Sequence, residues 1–182
     1  TPDHSQPSNA SLLHGRLGCR SSCAALDVGL GCSGFVYGLW LAFSLINNGS
    51  SERILVLTGD TLSRIVNPDD KATASLFGDG GSATLVEKKE GAGVSWFRLG
   101  SDGTGAEALK VPAGGARIPI TPKTREALTD AEGNTRTQED LFMDGAAVFN
   151  FSIEVVPEEI KALLKVADLA LDSLDFLVLH QA

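Results

Sequence analysis

Asp27-Val-Gly-Leu-Gly-Cys32-Ser-Gly-Phe-Val36 decides the reading of this 182-residue chain. The apolar run at 24–28 predicts a short buried strand. Glycines 29 and 31 predict a tight turn, and an apolar helix begins near Ser33. Cys32 then falls at the mouth of that helix. Unpaired backbone N–H groups and the positive end of the helix dipole there favour thiolate over thiol. Gly31 and Gly34 leave no side chain beside the sulfur, so a carbonyl can approach it closely. A lone free cysteine is otherwise most often a small buried hydrophobe. Glycine on both sides at a strand-to-helix junction favours a nucleophile. The arrangement shares the geometry of a hydrolase nucleophile elbow, but Leu30 stands where G-x-S-x-G requires its first glycine.

Outward from this stretch, Pro7 before and Gly18 after predict a first helix from about 8 to 17. The Cys32 helix runs to Asn47, where Asn48-Gly49-Ser50 ends it. The continuous apolar run at 54–59 reads as a parallel strand covered on both faces. Strand, helix and strand in this order predict a right-handed crossover. A polar connection follows at 60–70, then a strand at 82–86 after Gly78-Asp-Gly-Gly81. From 94 to 136 glycine, proline and charge dominate, which predicts a long excursion with short strands at most. Phe149, Ile153, Val156, Ile160 and Leu163 restore helical periodicity, with Pro157 expected to kink or break the helix near Val156. The run 176–179 predicts a last short strand with His180 at its carboxyl end, where open α/β sheets bind ligands.

Composition narrows the function. A chain with 43% hydrophobic residues can bury a substantial core, and its net charge of −8 argues against a nucleic-acid partner. The longest apolar stretch, 35–46, is too short for a bilayer and is interrupted by Gly38 and Ser44, so no membrane span is expected. The first residues are polar, so no signal peptide is expected. Three cysteines, 19, 23 and 32, do not suggest a disulfide framework, and a reducing cytoplasm is expected. His4, His14, Cys19 and Cys23 lack the tight spacing of structural zinc sites, so no metal is expected.

At this point the residues resemble a family. Asp27-Val with Cys32-Ser-Gly-Phe35, Phe77-Gly-Asp-Gly-Gly-Ser-Ala83, Met143-Asp-Gly145 with Val148-Phe149, and His180-Gln-Ala182 are similar, in this order, to β-ketoacyl-acyl-carrier-protein synthase III. That condensing enzyme belongs to the thiolase superfamily. The resemblance implies an α/β fold, the αβαβα sandwich of two similar halves, only partly covered by this chain. Residues 1–140 would form part of the N-terminal half, carrying the nucleophile and the irregular excursion. Residues 141–182 would open the C-terminal half with the catalytic histidine. Family chains extend further at both ends, so residues 1–182 alone are expected to be inactive.

The resemblance implies decarboxylating Claisen condensation of an acyl-CoA primer with malonyl-acyl-carrier protein, in fatty-acid initiation or a related pathway. Cys32 would carry the acyl group as a thioester, and its N–H would form half of an oxyanion hole. His180 would donate a hydrogen bond to the malonyl thioester carbonyl. Gly145 and Phe149 would line the substrate channel, Lys71 would meet the coenzyme A nucleotide, and Arg64 would flank the same connection. Residues 77–83 would form a glycine-bounded turn at the site's floor, with Asp79 structural. Ala146 replaces an asparagine common in relatives, and Gln6 stands where a bulky dimer-interface residue is common. Gly133-Asn134-Thr135 spells the segment that holds the family's third catalytic residue, but it precedes His180, so Asn134 is not assigned that role. No cofactor is implied, since the coenzyme A and carrier-protein thioesters are substrates, and a homodimer is expected. The alternatives are a quinolone- or polyketide-type acyltransferase of the same superfamily, a non-catalytic partner subunit, or a cysteine hydrolase.

Overall fold

The computed structural model describes residues 1–181, and its chain divides into two units: 1–60 with 80–90, and 61–79 with residues from 91 onward. Ala182, the last residue of the His-Gln-Ala triplet, lies outside the described residues. The junction expected at 140/141 falls inside the second unit.

In the first unit, helix α1 (Asn9–Arg16) starts where the Ser8 hydroxyl accepts the Ser11 N–H at 3.3 Å. It ends at Leu17, followed by Gly18 at φ +62°, a conformation open to glycine. Helix α2 (Gly34–Asn47) is followed by Asn48 and then Gly49 at φ +82°. Gly38, Ala42 and Ile46, four residues apart, form one stripe on α2, and Ala42 and Ile46 are buried. A Cβ added at Gly38 would come within 3.0 Å of Val56 Cγ1. Glycine therefore lets the helix approach strand β1 (Arg53–Thr61).

Strand β1 pairs with β2 (Asp79–Glu87). Glu52 lies opposite Lys88, Arg53 opposite Glu87 and Thr58 opposite Ser82, so the two strands run antiparallel. Ile54, Val56, Thr84 and Val86 share a half-buried face, while Leu55, Leu57 and Leu85 lie exposed on the other. This corrects the expectation of a parallel strand covered on both faces. It also removes the crossover: residues 24–28 are unpaired, with Leu26 and Val28 exposed. Ladder formation needs a neighbour for the backbone N–H and C=O groups, and the described residues place none beside 24–28. The expected turn at 77–83 is largely strand as well, because β2 begins at Asp79. A Cβ at Gly81 would lie 3.4 Å from the Thr58 carbonyl oxygen, so this glycine serves close strand approach.

The second unit has short ladders of two residues each: β3 (Leu109–Lys110) with β6 (Phe142–Met143), and β4 (Leu128–Thr129) with β5 (Thr135–Arg136). Both pairs are antiparallel. Helix α3 (Lys71–Ala74) is a single turn capped by Asp70. Helix α4 (Gly145–Ala167) follows β6, with the Asp144 carboxylate accepting the Ala147 N–H at 3.0 Å. A bidentate pair joins Arg98 to Glu159 on α4, at 2.7 and 3.2 Å.

Of the kink or break expected at Pro157, the break does not occur, and the residue sits inside α4. The proline lacks the N–H that would meet the Ile153 carbonyl, but Ile153 is exposed, so water is available to that carbonyl. The strand expected at 176–179 is absent too. Phe176 and Val178 are 87% and 91% exposed, and the segment has no ladder partner among the described residues. The excursion at 94–136 contains only short strands, as expected, yet it supplies much of the buried interior. Ala113 and Thr124 are buried, as are Asp70, Thr73 and Leu141 nearby in the same unit.

Candidate active site

Cys32 occupies a central position of the turn closed by the Gly34 N–H on the Gly31 carbonyl at 2.8 Å. Ser33, the residue after it, is the N-cap of α2 and makes no side-chain capping bond. The thiol is exposed and unbridged. A Cβ at Gly29 or Gly31 would meet nothing within 4 Å, so the approach to the sulfur is open on that side. Five residues earlier, the Asp27 carboxylate accepts the Asn9 and Ala10 N–H groups at 2.9 and 2.7 Å. Asp27 thereby ties the Cys32 loop to the start of α1, using donors that the first turn of a helix leaves unspent. Nothing in the sequence signalled this role, since Asp27 stands eighteen residues from Asn9.

The other expected residues belong to the second unit, and each is placed there by local structure. His180 is exposed beyond the unpaired 174–179 segment. Gly145 and Phe149 stand one turn apart on the same face of α4, and Phe149 is exposed. Arg64 closes a 3-10 turn (Leu62–Arg64) and is exposed. Beside it, Asp79 accepts the Ser63 N–H at 2.9 Å and the Ser63 hydroxyl at 2.7 Å. The backbone N–H of Ser63, then its hydroxyl, and the charge of Arg64 hold the Asp79 carboxyl below the ordinary carboxylate range.

Lys71 is the first residue of α3, and its environment is the most heavily built of the set. Its N–H donates to Asn134 Oδ1 at 3.2 Å. The preceding Asp70 is fully buried; one carboxylate oxygen accepts the Ala72 N–H at 3.1 Å, and the other meets Arg136 Nε at 3.0 Å. Arg136 also donates to Asp130 at 2.6 Å, and its guanidinium lies 5.4 Å from the centre of the Phe142 ring. The Thr135 N–H reaches the Asp69 carbonyl at 3.1 Å. Asp130 in turn accepts the Asn134 N–H at 2.8 Å. That bond, with the Asn134 amide and the Arg136 charge, holds the Asp130 carboxyl below its ordinary range. Asp70 and Arg136 were not singled out from the sequence; the sole signal was a charge-rich segment around 130–140, which reads equally as solvated loop. Asn134, left without a catalytic role, is a ligand of the Lys71 backbone. No group of His, Cys, Asp or Glu among the described residues is arranged to hold a metal ion, and none of the described helices is long and apolar enough to cross a membrane.

Residues 26–103 match the model of the 3-oxoacyl-[acyl-carrier-protein (ACP)] synthase III family. A β-ketoacyl-[acyl-carrier-protein] synthase III of Caldanaerobacter subterraneus is 39% identical over the whole chain, which spans 52% of that relative. The corresponding protein of Clostridioides difficile is 38% identical, again over the whole chain and 52% of the relative. A 2.1 Å crystal structure of a 3-oxoacyl-(acyl-carrier-protein) synthase III superposes with a TM-score of 0.92 at 43% identity, covering 96% of this chain and 52% of that one. The chain thus spans about half the length of the relatives it matches. Along its whole length the chain is similar in sequence to 3-oxoacyl-acyl-carrier-protein synthase III proteins, and it shares the thiolase-like fold of their solved structures.

Proposed function

We propose that this chain carries the nucleophile and the enolate-stabilising histidine of a decarboxylating Claisen-condensing acyltransferase. The observation that carries the reading is the position of Cys32, in the turn immediately before α2 and within the residues that match the family model. In the first half-reaction the Cys32 sulfur attacks the carbonyl of a short acyl-CoA. A new C–S bond forms, the bond to coenzyme A sulfur breaks, and the coenzyme leaves as the thiol with the proton from Cys32. The Cys32 N–H faces the oxygen that becomes negative. In the second half-reaction a malonyl-carrier-protein thioester loses carbon dioxide. The electron pair left on its α-carbon attacks the acyl-Cys32 carbonyl, forming the C–C bond and releasing the Cys32 thiolate. Neutral His180 donates a hydrogen bond to the thioester oxygen on which enolate charge develops.

Gly145 and Phe149 fit the wall of a pantetheine channel, being neighbours on one face of α4. Lys71 and Arg64 fit the nucleotide end of the acyl-CoA, where lysine meets a phosphate as a point charge without the planar fork of arginine. The chemistry asks for no resident metal or cofactor, because both thioesters are substrates. The reading includes a homodimer working in the cytoplasm, and the three free thiols fit a reducing compartment.

The test is intact-mass and peptide mapping of the protein carrying this chain after incubation with acetyl-CoA. A 42 Da adduct is the size of one acetyl group less one hydrogen, about what one thioester adds. It is expected on Cys32 and absent in C32A, whose unfolding curve should match the parent. Prompt hydrolysis of the adduct without added malonyl thioester would instead favour a cysteine hydrolase. An adduct on Cys19 or Cys23 would refute the assignment.

A further inference from the structure

We propose that Arg136 and Asn134 are positioning residues for Lys71, holding its ammonium group where it meets a phosphate of the acyl-CoA. The inference rests on the reading of Lys71 as a nucleotide contact and adds the device that makes a flexible lysine effective there. Three consecutive residues of one segment are fastened to three of another. Thr135 N–H holds the Asp69 carbonyl, Arg136 holds the Asp70 carboxylate and Asn134 Oδ1 holds the Lys71 N–H.

Asp70 is fully buried, and the Arg136 side chain is only 19% exposed. This is a largely buried, charge-assisted clamp rather than a surface ion pair. Arg136 grips Asp70 with Nε and Asp130 with Nη2, so the hairpin that carries it is itself locked. The clamp holds the Lys71 backbone and leaves its ammonium group unneutralised. Lys71 is exposed and forms no ion pair among the described residues, as is true of Lys88, Lys89, Lys123 and Lys165; what sets it apart is the clamp on its own backbone. A rigid backbone bearing an unneutralised ammonium suits an anionic ligand. A lysine whose backbone drifted would forfeit part of that contact to conformational entropy.

The test compares acetyl-CoA with acetyl-pantetheine, the same thioester without the nucleotide, in the protein carrying this chain. R136Q is expected to raise KM for acetyl-CoA about threefold to fivefold, the worth of one solvent-exposed ionic contact, with kcat unchanged. The reaction with acetyl-pantetheine should not change. K71A should behave alike, and R136Q with K71A should be no worse than K71A alone, since both remove the same contact. Calorimetric binding of free coenzyme A should weaken in parallel, independently of turnover. N134A leaves the buried Arg136–Asp70 pair in place and loses the bond to the Lys71 N–H, together with the Asn134 amide bond to Asp130. It carries the test if R136Q does not fold, and a smaller rise confined to acetyl-CoA is expected.

Equal damage to both thioesters, or additive effects of R136Q and K71A, would overturn the proposal and leave Arg136 a general structural residue. K71A without effect on acetyl-CoA, while the Cys32 adduct still forms, would overturn it by removing Lys71 from the site and would spare the nucleophile assignment. Absence of the adduct in the unmutated protein would overturn the catalytic reading itself, and this inference with it.

Discussion

Around Cys32 the chain is held by one turn, the carboxylate of Asp27 five residues earlier and a helix whose Gly38 approaches Val56 of its sheet. Around Asp70 three neighbouring residues are bonded to three others, with a buried carboxylate at the centre. The first region is apolar and largely open: Phe35, Val36 and Trp40 on α2 and Leu55 and Leu57 on β1 are exposed. The second is polar and closed. Apolar surfaces become informative only when something lies on them, since their attraction is non-directional and scales with area removed from water. A polar clamp is complete as soon as its few partners meet, because each bond has its own direction and length. The difference explains why the region with the clearest chemical signature has the thinner local support. Exposed apolar patches of this kind mark surfaces that pack against further protein.

The largest effect expected is chemical. H180A should lower decarboxylation of the malonyl thioester about a hundredfold, the usual cost of one oxyanion donor, while the Cys32 adduct still forms. His180 is exposed, so the unfolding curve should stay put; a large loss of stability would show that His180 braces the fold rather than serving the chemistry alone. Next comes the clamp. D70A should destabilise the second unit by about 2–3 kcal/mol, because Arg136 loses a partner in a largely buried place. Denaturant titration measures it, and a change below the error of that method would place the clamp among ordinary surface ion pairs. In the open region, G38V should cost about 1–3 kcal/mol by overpacking against Val56. Hydrogen exchange across α2 and β1 would locate the loss, and an unchanged pattern would mean that the helix stands off its sheet.

The smallest effect is that of pH. The Asp130 carboxyl sits below its ordinary value of 3.8, held first by the Asn134 N–H and also by Arg136. The stability it contributes is complete above 3.8 and is lost as pH falls through the lower folded value. Acid unfolding of the second unit should therefore flatten in D130N below that range, and the first unit should not respond to the substitution.

Helix ends were legible from single residues. Gly18 and Gly49 do what their chemistry dictates locally, so α1 and α2 could be placed nearly to the residue. Strands were less so, because an apolar run states only that it prefers burial. Residues 54–59 found an antiparallel partner and one half-covered face, while 24–28 and 176–179 found no ladder partner among the described residues. The glycine-rich run at 78–81 misled for another reason: glycine signals both a turn and a close strand contact, and at Gly81 the contact decided it. Of the candidate site, Cys32 could be placed at the mouth of its helix because turn and helix are contiguous in sequence. The clamp on Lys71 could not, since Asp70 and Arg136 stand sixty-six positions apart and each alone is an ordinary surface charge.

Helix α4 is unequal in its two ends. At the start, the Asp144 carboxylate accepts a backbone N–H and faces the positive end of the dipole. At the finish, Asp168 takes φ +55°, the sole non-glycine residue among those described with a left-handed backbone, and places a second negative charge by the negative end. That adverse charge is offset by backbone bonds, the Asp168 N–H on the Lys165 carbonyl and the Leu169 N–H on the Leu164 carbonyl, so the left-handed residue closes the helix and turns the chain out of its axis toward the segment that ends in His180.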